Sequence, residues 1–176
     1  MATVVTNTVK YDHTIDQKTM RHRINGIPSV LHCHHYSSLY TQLALDAGET
    51  DLLKDCARDS FRTVLIRYFD RNPDLDTREK KIDVGCQYYA LLGLGTLKVL
   101  FLGPYSGEVE VPSSHVDEGW KKKWGEYDKP INYITAGFIE ALFEVVQERP
   151  PRTFLAIEKE SIAMGAEKSV FAVTRR

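Results

Sequence analysis

The sequence has little of anything that marks a specialised class of protein. Three cysteines, Cys33, Cys56 and Cys86, occur among 176 residues. They are odd in number and lack zinc-like spacing, so neither a disulfide framework nor a structural zinc site organises the chain. Neither charge dominates: 23 Lys and Arg face 24 Asp and Glu, a net charge of −1. That balance leaves no electrostatic footprint for nucleic acid. No apolar run approaches the roughly 20 residues of a membrane span, and Met1 to Lys10 holds no signal-peptide core. Gly93-Leu94-Gly95 lacks the third glycine and the following helix of a dinucleotide fingerprint. What remains is 43% hydrophobic and 27% charged. That is the composition of a single domain, expected in the cytoplasm with reduced thiols.

Periodicity divides the chain in two. Residues 1–28 are weakly patterned and read as an N-terminal arm; residues 29–95 read as helical, and residues 96–176 as sheet plus helix. Three helices are expected at roughly 29–47, 50–68 and 77–92. The first carries Tyr36, Leu39, Tyr40, Leu43 and Ala47 at three-and-four spacing, which predicts a buried stripe. Cys56 and Cys86 fall on the apolar stripes of the second and third helices and read as small core residues. Strands follow at 97–102 and 108–111, across the turn cluster Gly103 to Gly107. Ser114 caps a short helix with acidic residues in its first turn and Lys121 to Lys123 at its end. A longer helix spans roughly 130–147, with Pro130 in its first turn. Two closing strands, 153–158 and 168–174, complete a ββαββ order. The expected fold is α+β: an N-terminal helical layer packed on a C-terminal four-stranded antiparallel sheet, one domain in all.

The densest chemistry is His32-Cys33-His34-His35-Tyr36. Successive helical residues turn by about 100°, so His32 and His35 are neighbours while His34 points the other way, towards solvent. Imidazole and thiolate suit zinc or iron, but two helical histidines supply half a site, and His13, His22 and His115 are further candidates by type alone. Three readings stay open: histidines satisfied at the edge of a core, polar groups that orient a ligand, or a divalent metal or haem site using His32 and His35. Gly137, inside a helix, signals either close packing or a nearby ligand.

Two segments carry a family resemblance. Asn132-Tyr133-Ile134-Thr135-Ala136-Gly137-Phe138 opens the long helix, and Glu158 to Phe171 forms the closing segment. Together they resemble the 4-vinyl-reductase, or hydrocarbon-binding, domain family, whose closing hairpin has the form E-x-x-C-x-x-x-G-x-x-x-C-x-F. The resemblance covers roughly residues 97–173. Where that family often has cysteine, this chain has Ser161 and Ser169, and Asn132 stands at a third such position. Those cysteines would support a metal site in relatives; serine and asparagine are poor ligands for soft metals. The resemblance implies a fold like that of vesicle-tethering TRAPP subunits and haem-type nitric-oxide sensors, often dimeric, with an enclosed apolar cavity.

A small-molecule pocket lined by His32, Cys33, His35, Tyr36, Tyr40, Trp120, Tyr133 and Phe138 is therefore the expectation, for a largely apolar ligand held in a homodimer. The alternatives are a metal-assisted or acid-base enzyme centred on His32, Cys33 and His35, and a dimeric assembly protein with an exposed apolar patch.

Overall fold

The computed structural model describes residues 9–30 and 32–176. A small antiparallel sheet comes first: β1 (His13–Asp16), β2 (Arg21–Ile24) and β3 (Ile27–Ser29), in that order. This corrects the expectation of an arm followed directly by helices. Two turns build the sheet. Asp16 Oδ1 accepts from the Lys18 and Thr19 backbone N–H groups at 2.8 and 3.0 Å. Asn25 and Gly26 follow with φ of 50° and 78°, the left-handed pair that a two-residue hairpin requires.

Three helices follow, α1 (His34–Ala47), α2 (Thr50–Asp70) and α3 (Arg78–Leu91). The second half runs β4 (Gly95–Leu102), β5 (Ser106–Ser114), α4 (His115–Trp124), α5 (Tyr133–Val146), β6 (Phe154–Glu160), a 3-10 turn (Ile162–Met164) and β7 (Ser169–Arg175). Its four strands form one antiparallel sheet in the order β4-β5-β7-β6. The ββαββ reading holds, with two helices in the middle. Ser114 caps α4, its Oγ accepting from the Asp117 N–H at 3.1 Å. Asn132, rather than Pro130, starts α5, its Oδ1 accepting from the Thr135 N–H at 3.3 Å.

The main core lies between α2, α3, α5 and the inner sheet face, around Leu65, Tyr89, Phe138, Leu142, Phe154 and Phe171. Helices α2 and α5 cross at Gly137, where a Cβ would lie 2.5 Å from the Lys54 carbonyl oxygen and 2.8 Å from the Arg58 nitrogen. The glycine thus serves helix–helix contact. Cys86 is half-buried, and desolvation pushes its thiol up to about 11. Cys56 is exposed on α2, not in the core.

Helix α1 is the largest departure from expectation. Its buried residues are Ser37, Ser38 and Thr41, while Tyr36 and Leu43 are 54% and 56% exposed. Gly119 of α4 explains the inversion. A Cβ there would lie 2.8 Å from both His34 Cβ and Ser38 Oγ, so the two helices approach closely along the side that carries Ser38. The hydroxyls meet their own bonding needs: Ser38 Oγ donates to the His34 carbonyl at 2.9 Å and Thr41 Oγ1 to that of Ser37 at 3.3 Å. Burying them therefore costs little.

Candidate ligand-binding cavity

A cavity of about 700 Å³, open on one side, lies where the β2–β3 hairpin covers the helices. The hairpin supplies Ile24, Ile27 and Pro28, α2 supplies Phe61 and Val64, and the end of α3 supplies Tyr88, Leu91 and Leu92. Leu94 and Ile134 complete the apolar wall, and His115 stands at the start of α4. Among the described residues no Lys, Arg, Asp or Glu lines this space. Its polar groups are hydroxyls, such as those of Ser29, Ser37 and Tyr88, and the imidazoles of His32 and His115.

His115 Nε2 is buried and has no hydrogen-bond partner among the described residues, and the same is true of His34 Nε2. The two rings sit 6.0 Å apart, edge to face. Desolvation, followed by the charges of His35 and Lys122, holds the His34 pKa below its ordinary value. A buried imidazole nitrogen without a partner is costly unless something bonds it.

Of the residues expected at the site, His32 and Tyr40 line the cavity. Their rings lie 5.8 Å apart. Cys33, His35 and Tyr36 are exposed at the start of α1, outside the wall. Cys33 Sγ and His35 Nδ1 are 3.8 Å apart. Trp120 belongs to a separate small core with Val116, Ile131 and Ala163. Phe138 packs edge to face between Phe61 and Tyr89, and Tyr133 is half-buried outside the wall. His34, expected in solvent, is half-buried against α4 because α1 docks through its small-residue side. Among the described residues no group of three or more His, Cys, Asp or Glu is arranged to hold a metal ion. Sequence reasoning missed the hairpin residues and Tyr88. Asn25-Gly26 was the signal that would have found the hairpin.

A second polar assembly lies away from the cavity, where α4, α5 and the closing hairpin meet. Asn132 Nδ2 donates to Asp117 Oδ2 at 2.5 Å and to Ser114 Oγ at 2.8 Å. The Asn132 backbone N–H donates to Glu158 Oε2 at 3.2 Å. Ser161 Oγ donates to Asp117 Oδ1 at 3.4 Å, and Ser169 Oγ accepts from the Ile162 N–H at 3.0 Å. Asp117, Asn132, Ser161 and Ser169 are each at least 99% buried. The three positions singled out by the family resemblance thus converge in space.

No protein-family model matches the chain, and no curated relative matches it. Solved structures do. The phenol-responsive sensory domain of the transcription activator PoxR, crystallised with phenol, superposes with a TM-score of 0.77 at 12% identity, over 93% of this chain and 84% of that one. The chain has the fold of that sensory domain. A trafficking protein particle complex subunit 3 from Naegleria fowleri, covalently bound to palmitic acid, matches with a TM-score of 0.54 at 14% identity, over 80% of this chain and 90% of that one. The likeness to vesicle-tethering subunits expected from sequence is therefore seen in the fold, while membership of the hydrocarbon-binding family is not shown. No helix among the described residues is long and apolar enough to cross a membrane.

Proposed function

We propose that the protein is a binding or sensor domain for a small, neutral, largely apolar molecule held in the 700 Å³ cavity. The observation that carries this reading is a largely apolar wall in which no Lys, Arg, Asp or Glu stands among the described residues. Burying about 200 Å² of apolar ligand surface contributes on the order of 5 kcal/mol before the costs of association. One hydroxyl on the ligand would bond the exposed His32 imidazole at the rim and fix its orientation. A carboxylate meets no Lys or Arg in the described wall, so the reading favours phenols and alcohols over ionised fatty acids. The phenol and palmitic acid of the two structural neighbours frame that choice. Three unpaired cysteines, two of them exposed, suit a reducing cytoplasmic setting.

The test is a thermal-shift series with phenol, alkylphenols, medium-chain alcohols and palmitate, beside native mass spectrometry of the purified protein. Neutral hydroxylated compounds should raise Tm in proportion to their apolar bulk, and palmitate should not. His32→Ala should weaken binding about 3- to 10-fold, the loss of one hydrogen bond. If no compound shifts Tm and no small molecule is retained, the binding reading fails.

The outward stripe of α1 favours a further element of the reading, a homodimer. Tyr36, Leu39, Tyr40 and Leu43 present one apolar side of the helix to solvent. Only Asp46 is charged among the fourteen residues of α1, so two copies meet there without like-charge repulsion.

A further inference from the structure

The junction of α4, α5 and the closing hairpin holds two buried carboxylates and, among the described residues, no cation bonded to them. Asp117 is fully buried and Glu158 is 91% buried. They share Asn132, which donates to Asp117 through its side chain and to Glu158 through its backbone. Glu158 Oε1 has no hydrogen-bond partner among the described residues. The other polar side chains of the cluster are Ser114, Ser161 and Ser169. The titratable groups facing it from neighbouring elements are the phenols of Tyr89 on α3 and Tyr133 on α5; both feel Glu158, and Tyr89 also feels Asp117. Both phenols are pushed up, chiefly by desolvation, and stay neutral at physiological pH. Lys168, next to Ser169 in sequence, is engaged by Glu110.

The donor set does not fit the metal that cysteines at these positions would hold. It offers hydroxyls, an amide and two carboxylates, with no thiolate and no imidazole, which suits neither zinc nor another soft ion. Two carboxylates facing one buried cluster cannot both ionise without a cation to offset them.

We propose that Asp117 and Glu158 hold one proton between them, in place of a metal, and that this proton locks the closing hairpin onto the start of α4 and α5. Asp117 keeps the charge. Burial pushes its carboxyl up as well, but it sits in the first turn of α4, where the helix dipole favours an anion, and the Ser114, Asn132 and Ser161 side chains work against that rise. Glu158 keeps the proton, so that Oε1 is either a donor or an uncharged acceptor. Burial, followed by the Asp117 charge, raises Glu158 to about 7. Its folded pKa therefore lies above the ordinary 4.5. The stability tied to the proton is complete below about 4.5 and is lost as pH rises through about 7.

The experiment uses the full chain. Elemental analysis of protein purified without chelator should find no stoichiometric metal. Tm measured from pH 5 to 8 should fall by about 5–10 °C in wild type relative to Glu158→Gln, whose amide is neutral throughout. Carbon-13 carboxyl titration of the wild type reads the same proton without any substitution: one buried carboxyl should titrate near neutrality and its partner should stay ionised. That measurement stands if Glu158→Gln fails to fold. One equivalent of bound zinc, an equal pH slope in the variant, or two carboxyls titrating in the ordinary range would each overturn the proposal. None of these outcomes depends on a ligand in the cavity, so the proposal and the binding reading fail separately.

Discussion

Arg58 is a fully buried arginine on α2, and its guanidinium is one of the cations that favour an ionised Glu140 in the core. Nη1 lies 2.6 Å from Asp55 and 3.5 Å from Glu140, and Nη2 lies 3.0 Å from Asp59. Glu140 is itself fully buried and accepts from the Ala156 N–H at 3.0 Å, which ties α5 to β6. Desolvation raises its pKa, and the Ala156 N–H and the charges of Lys54, Arg176 and Arg58 work against that rise. Arg58→Met should therefore cost about 3 kcal/mol at pH 7, measured by urea unfolding, because a buried carboxylate loses its partner. The loss should shrink at pH 5. A group whose folded pKa is raised is stable on the acid side and loses that stability as pH climbs, and the variant raises Glu140 further. Adding Glu140→Gln should restore most of the loss at pH 7. An equal loss at both pH values would assign the effect to packing alone. None of this was legible in the sequence, where Arg58 and Glu140 sit 82 positions apart and look like ordinary surface charges.

Helix α1 shows which part of an amphipathic reading is dependable. Rotation by 100° per residue correctly places Tyr36, Leu39, Tyr40 and Leu43 together and His34 on the other side. It does not say which side faces inward. Hydrophobicity pointed to the aromatic side, but a backbone approach at Gly119 decided for Ser37, Ser38 and Thr41. Helix α5 reads correctly because all its residues from Thr135 to Val146 are buried, so no choice of side arises. The exposed stripe carries its own prediction. Sedimentation equilibrium should find a dimer in wild type, and Tyr36→Lys with Leu43→Lys should give a monomer with Tm little changed, since both side chains are more than half exposed. A wild-type monomer, or a dimer surviving both lysines, would reject the interface.

On the scale of the whole molecule, the cavity exists because a small polar hairpin roofs the helices. The ββαββ sheet was visible in alternation and turn residues. The roof was not, because β1 is exposed along its length and β2 buries only Ile24, leaving no hydrophobic period to detect. His32 and Tyr40 stand just before and midway along the recognisable helix α1, whereas Tyr88, Leu91 and Leu92 reach the space from the end of α3. Such a void forgoes packing that side chains could supply. Val64→Phe should show the exchange directly. Val64 is half-buried on α2 and lines the cavity beside Phe61 and Tyr88, so the larger ring enters empty space instead of a packed neighbour. The unliganded variant should unfold at a Tm equal to or above that of wild type. A ligand at 100 times its Kd stabilises the wild type by about 2.7 kcal/mol, and that gain should vanish in the variant. A variant that loses stability without ligand would mean that the space is already filled by side-chain motion. Unchanged ligand stabilisation would place the bound molecule elsewhere.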